Sequence, residues 1–170
     1  MGTNILNKSA AVNPEFRQLL KDPLLLLAFG FGSGLSPIMP GTMGTLASIP
    51  LFLLLALAPL WLYAILLVVA TVVGIYLCGY AAKKLAVHDH PGIVWDEFVG
   101  FWLCMVAIPL NWKTVLAGFV LFRFFDMLKP WPISLADKHI HGGFGIMFDD
   151  VLAGIAAWVC LFSLVYTGVL

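Results

Sequence analysis

Long apolar stretches separated by short polar clusters set the pattern of this chain. From Pro23 to Ala82 there is no Asp, Glu, Lys, Arg or His, a run of sixty residues, against roughly 20 needed for one helical crossing of a bilayer. Apolar length and proline breaks predict membrane segments at about 46–58, 60–82, 95–110, 114–128 and 150–169. The first is short: at ~1.5 Å per residue it reaches ~20 Å of a ~30 Å hydrocarbon core. It must therefore borrow flanking residues, thin the bilayer or form half of a re-entrant hairpin. Ahead of these segments, "NPEFRQLLKD" predicts a short interfacial helix, with Asn13 as cap, Pro14 in the first position, Glu15 at the positive dipole end and Phe16, Leu19 and Leu20 as its apolar stripe. The predicted fold class is all-α, a polytopic membrane helix bundle of about five segments, one of them short or re-entrant, plus the N-terminal interfacial helix. Residues 1–22 form that N-terminal segment and 23–170 a single membrane-embedded domain, with no internal repeat or linker to divide it.

Composition agrees: 62% hydrophobic residues, 11% charged and a mean hydropathy of +1.01 lie outside the range of a soluble globular domain. Lys8, Glu15, Arg17, Lys21 and Asp22 interrupt the N-terminal stretch, so a cleavable signal peptide is not expected. Cys78, Cys104 and Cys160 fall inside apolar runs without Cys-x-x-Cys spacing and read as small core residues. If all five segments span with the N-terminus in the cytoplasm, Lys8, Arg17, Lys21, Lys83, Lys84, Lys129 and Lys138 lie inside, Arg123 sits near the inner end of its helix, and only Lys113 is outside. That distribution satisfies the positive-inside rule. The same arrangement carries all nine carboxylates to the cytoplasmic face, with Trp95 and Trp131 near the inner interface and Trp61 and Trp112 near the outer one. No nucleic-acid partner is expected from a chain of zero net charge.

Chemistry concentrates in three acidic clusters. "GGFGIMFDDV" places Asp149 and Asp150 at the threshold of the last apolar run, "VWDEFVG" places Asp96 and Glu97 at the start of another, and "LFRFFDMLKP" sets Asp126 inside a third. Carboxylates in a first helical turn have a structural use, meeting the dipole and capping free N–H groups. A bare charge within a membrane segment, however, costs at least ~2.5 kcal/mol and by default marks function. Five acids converging on one face exceed what Arg123, Lys129 and helix dipoles neutralise, and the fitting counter-charge is a hard divalent cation. Mg²⁺ takes oxygen ligands and commonly bridges carboxylates to a substrate phosphate. Arg123, Asp126 and Lys129, spaced i, i+3, i+6, share a helix face. They point either to an anionic substrate or to an internal ion pair. "FGSGLSPIMPGTMGT" is too polar to face lipid as a helix and must be buried or line a wet cavity. Backbone N–H groups near Gly41, Thr42, Gly44 and Thr45 would suit a phosphate at the start of the following helix, although tight packing through small residues explains the glycines equally well. His88, His90, His139 and His141 form two His-x-His pairs that suggest zinc, but they lack helical i, i+4 spacing and carboxylates dominate around them. Asp89 and Asp137 read as supporting charges.

Four segments in order, "FGSGLSPIMPGTMGTLAS", "HDHPGIVWDEFVG", "FRFFDMLKPWPI" and "HGGFGIMFDDVLAG", resemble the phosphatidylglycerophosphatase A family of small bacterial membrane lipid phosphatases. The resemblance runs from about Phe29 to Gly154 and implies a Mg²⁺-dependent enzyme of the inner membrane. Such an enzyme removes the terminal phosphate of a phospholipid substrate, phosphatidylglycerophosphate, at the cytoplasmic leaflet to give phosphatidylglycerol. Asp96, Glu97, Asp126, Asp149 and Asp150 stand at the acidic positions, as catalytic and metal-binding residues. Arg123, Lys129, Thr42, Gly44 and Thr45 are the expected phosphate contacts. The competing class is a transporter or channel with intramembrane acids, which would more often show repeated halves and a polar path.

Overall fold

The computed structural model describes residues 13–87 and 90–170, with residues 136–138 described by backbone only. Every regular element among them is helical: α1 (Phe16–Leu20), α2 (Pro23–Ala28), a 3₁₀ segment (Gly30–Leu35), α3 (Pro40–Leu55), α4 (Leu60–Leu85), α5 (Trp95–Cys104), α6 (Trp112–Leu128), α7 (Ile133–His139) and α8 (Gly142–Tyr166). Two helices, α4 and α8, are long and apolar enough to cross a membrane. At ~1.5 Å per residue the 26 residues of α4 span ~39 Å, enough for a ~30 Å core. The 16 residues of α3 and 17 of α6 reach only ~24–26 Å.

Several boundaries differ from those read off the chain. The segment expected over 95–110 is helical only to Cys104, because the Pro109 ring would clash with the carbonyl four residues earlier, at Met105. The remaining ten-residue helix is buried nearly all round, from Asp96 through Trp102, and lies in the core, packed by α3, α4, α6 and α8. The last helix begins at Gly142, not near residue 150. Its glycines allow a close crossing of α4, where a Cβ on Gly143 would lie 2.0 Å from the Ile75 carbonyl oxygen. Asp149 and Asp150 are consequently two turns inside α8, too far from its N-terminus to cap it.

At the N-terminal end a short helix does form, but its cap is Glu15, which exchanges hydrogen bonds with Gln18, and Asn13 and Pro14 lie ahead of it. Leu19 is buried in the core while Phe16 and Leu20 are exposed, so the expected apolar stripe is divided between the protein and its surroundings. Asp22 caps α2 through the Leu24 and Leu25 N–H groups. It also accepts a 2.9 Å hydrogen bond from the Tyr80 hydroxyl and pairs with Lys84, tying α2 to the end of α4. Burial pushes the Asp22 carboxyl up, but the hydrogen bonds from Lys84, Tyr80 and Leu25 outweigh it and hold its pKa below the ordinary 3.8.

Helix α8 is the hub, packing on α4, α5 and α6. Its closest approach to α5 passes through Gly154, where a Cβ would stand 2.5 Å from the Gly100 carbonyl oxygen. This contact between backbones sets the acidic residues of the two helices face to face.

Candidate active site

One end of the bundle opens into a cavity of about 360 Å³. The N-terminus of α3 supplies Met39, Pro40 and Gly41; the first turn of α5 supplies Asp96 and Glu97; the end of α6 supplies Arg123, Asp126, Met127 and Lys129; and α8 supplies Asp149 and Asp150. All five predicted acids and both predicted basic residues therefore meet in a single space.

The acids divide into two groups. Asp96, Glu97 and Asp150 are 8%, 9% and 3% exposed and each offers an oxygen within 4.8 Å of the others. Among the described residues this is the one group of three metal-capable side chains, so no zinc cluster of histidines is seen there. Glu97 Oε2 and Asp150 Oδ2 are buried with no hydrogen-bond partner among the described residues. Three carboxylates this close repel one another strongly in a poorly solvated site, and two orphaned oxygens leave acceptor capacity unused. An all-oxygen set of this kind fits a hard divalent cation such as Mg²⁺ and suits neither the soft nor the imidazole-preferring metals.

The second group is already matched with cations. Arg123 Nη1 donates to Asp126 Oδ2 at 2.6 Å and stands 3.9 Å from Glu97 Oε1. Lys129 Nζ donates to Asp149 Oδ2. Lys129 occupies the left-handed C-cap of α6, with φ 40°, directly before Pro130, and this reversal swings it away from the helix axis toward α8.

The predicted phosphate contacts on α3 are only partly at the cavity. Gly44 lies against Val94, where a Cβ would be 2.6 Å from the valine Cβ, and is a packing position. The Thr45 hydroxyl is buried and donates to the Gly41 carbonyl at 2.9 Å. Thr42 Oγ1 is buried without a partner among the described residues. Gly41 itself lines the cavity, and a Cβ there would fall 2.3 Å from Glu97 Oε1 and 3.1 Å from both terminal nitrogens of Arg123. A side chain there would have to displace the ends of Glu97 and Arg123. Helix α3 has no side-chain cap, and its first helical bond runs from the Met43 N–H to the Met39 carbonyl, so the N–H groups of Gly41 and Thr42 head the helix.

Of the histidines, His90 is buried, accepts from the Gly92 N–H at 3.0 Å and packs on Phe29, while His139 Nδ1 meets the Leu135 carbonyl. His88 and Asp89, and the Asp137 side chain, lie outside the described residues. Met39, Met127 and Ile140 also line the cavity without having been singled out from the sequence. As apolar residues in an apolar chain they carry no signal there.

The family model for phosphatidylglycerophosphatase A matches residues 26–165. The chain belongs to the phosphatidylglycerophosphatase A family. Phosphatidylglycerophosphatase A of Escherichia coli is 53% identical over 140 residues, covering 82% of this chain and 81% of the relative. The Haemophilus influenzae protein of the same name is 47% identical over 156 residues, 91% of this chain and 96% of the relative. A putative phosphatidylinositol-3-phosphatase of Bacteroides thetaiotaomicron is 40% identical over 148 residues, 81% and 90% of the two chains. No solved structure matches the chain. The four segments that resemble this phosphatidylglycerophosphatase A family in sequence each contribute residues to the cavity.

Proposed function

We propose that this protein hydrolyses the terminal phosphate monoester of phosphatidylglycerophosphate, releasing phosphatidylglycerol and phosphate, with Mg²⁺ as cofactor. The observation that carries the reading is the joining of three close carboxylates with two cationic side chains in one cavity, in a chain whose relatives bear the name of that phosphatase. Asp96, Glu97 and Asp150 hold the ion, which supplies Lewis-acid neutralisation of the phosphoryl oxygens. Arg123 offers a planar guanidinium, with Nε still without a partner among the described residues, to oxygens that gain charge in the transition state. Lys129, at the C-cap of the same helix and paired with Asp149, adds a point charge. Asp126 and Asp149 orient these two cations. Gly41 and Thr42 add N–H donors from the head of α3, in preference to Gly44, which packs on Val94, and Thr45, whose hydroxyl bonds back to Gly41. Water attacks phosphorus in line with the departing alkoxide, and the lipid tails remain in the bilayer.

The same reading sets the protein in the bacterial inner membrane as a single catalytic domain over 23–170, with the cavity at the cytoplasmic face. Helices α3, α5 and α8 bring their N-terminal ends to the cavity and α6 its C-terminal end, an alternation that supports about five passes. Phe16 and Leu20 of α1 then rest on the interface. The transporter alternative finds no support, since these five carboxylates gather in one cavity at one end of the bundle.

Substrate choice tests the reading. A phosphate monoester carries nearly two charges and free oxygens for the ion and both cations, whereas the diester product offers fewer. Purified protein should release phosphate from phosphatidylglycerophosphate and leave phosphatidylglycerol uncut. The folded Arg123→Ala/Lys129→Ala protein should lose at least about tenfold in kcat/KM, or ~1.4 kcal/mol of transition-state stabilisation. Parent-like turnover by that variant, or equal cleavage of the diester, contradicts the assignment.

A further inference from the structure

Two apolar tracks lead into the ionic cavity from outside the molecule. On α3, Met39, Met43 and Leu46 are exposed in succession at helical spacing; on α6, Val120, Phe124 and Met127 are likewise. Each track ends in a methionine that lines the cavity itself, and these two are 54% and 58% exposed. The ends of α3 and α6 lie side by side at Gly41, where an added Cβ would stand 3.1 Å from both terminal nitrogens of Arg123, yet the two helices make little further contact along their lengths. The cavity thus has polar walls of carboxylates and cations, and one apolar side continuous with exposed helix faces.

An amphiphile with a phosphate monoester at one end must cross the wall where polar and apolar surfaces join, because a charged headgroup and its acyl stem are each costly in the other's surroundings. The geometry points to the gap between α3 and α6, flanked by Met39 and Met127, as a lateral portal. Through it the glycerol and the first acyl carbons of a phospholipid enter from the bilayer while the phosphate reaches the carboxylates. This rests on the lipid phosphatase reading above and adds the route and the residues that position the lipid stem. Methionine suits such a threshold, being unbranched, polarisable and able to follow a moving chain.

Two measurements test the portal. Met39→Gln/Met127→Gln keeps side-chain length but makes the threshold polar. It should raise the KM for phosphatidylglycerophosphate in vesicles at least about tenfold while kcat stays within about twofold, and Met39→Leu/Met127→Leu should restore the parent KM. An unchanged KM, or a loss confined to kcat, overturns the portal. In the second measurement, benzoylphenylalanine in place of Met127 should photo-cross-link to phosphatidylglycerophosphate, and excess unlabelled lipid with a terminal phosphate should suppress this where phosphatidylglycerol does not. The same group in place of Val72, on the exposed face of α4, should label without that competition. Labelling at 127 that competes no better than at 72 overturns the portal. Because the labelling needs no turnover, a parent protein that releases no phosphate contradicts the proposed function alone, and the portal is still decided.

Discussion

At the scale of single residues, the site turns on which carboxylates carry a cation: Arg123 holds Asp126 and Lys129 holds Asp149, while Asp96, Glu97 and Asp150 crowd together. A carboxylate in a chain that is 62% hydrophobic has few structural uses, so Asp96, Glu97, Asp126, Asp149 and Asp150 stood out, and all five line the cavity. Their division was not legible. Sequence spacing does not reveal that Arg123 takes Asp126 and Lys129 takes Asp149, leaving three acids to share one point. Asp150→Asn retains shape and removes one negative oxygen from that trio. It should abolish turnover and weaken Mg²⁺ binding measured by calorimetry, in protein that still folds; near-normal activity at limiting Mg²⁺ would return Asp150 to a structural role. Gly41 and Gly154 separate function from stability. Gly41→Ala pushes a methyl onto Glu97 and Arg123 and should lower kcat/KM at least about tenfold with little change in unfolding temperature. Gly154→Ala drives a methyl into the Gly100 carbonyl and should destabilise the α5–α8 crossing by roughly 1–3 kcal/mol. Equal thermal penalties for the two would contradict this division.

At the level of elements, apolar run length found the long helices and missed the starts that glycine conceals. "GGFG" has the composition of a loop, and only the approach of α4 makes it the first turn of α8. Likewise Pro40 begins α3 six residues before the expected start at 46, because Gly34, Gly41 and Gly44 seat one face of the polar stretch against Gly92, Glu97 and Val94 and leave Met39 and Met43 on the exposed face. The clasp between α2 and α4 offers a pH test. The folded Asp22 pKa is depressed below 3.8, so its contribution is fully present above that value and is lost as pH falls through the folded one. Asp22→Asn, which keeps the cap, should lower the unfolding temperature at pH 7 and match the parent at a pH well below 3.8. A difference that persists undiminished in acid means that shape, and not charge, makes the clasp.

On the scale of the whole molecule, the account requires one cytoplasmic end where the cavity lies. Cysteine in place of Lys83, at the end of α4, should react with impermeant maleimide only from inside the cell, and cysteine in place of Lys113, at the start of α6, only from outside. Both positions are exposed. Labelling of both from one side contradicts five passes. The all-helical class was legible from apolar run length alone, whereas the burial of α5 among four other helices was not, being a tertiary fact that no run length records. If divalent cation, carboxylate trio and lipid phosphate meet in one cavity, hydrolysis depends on the ion. Phosphate release from phosphatidylglycerophosphate by the purified protein, measured with Mg²⁺, after chelation, and after Mg²⁺ is restored, tests it most directly. Release should stop on chelation and return with the ion; release undiminished by chelation, or none under any condition, rules out metal-dependent hydrolysis in this cavity.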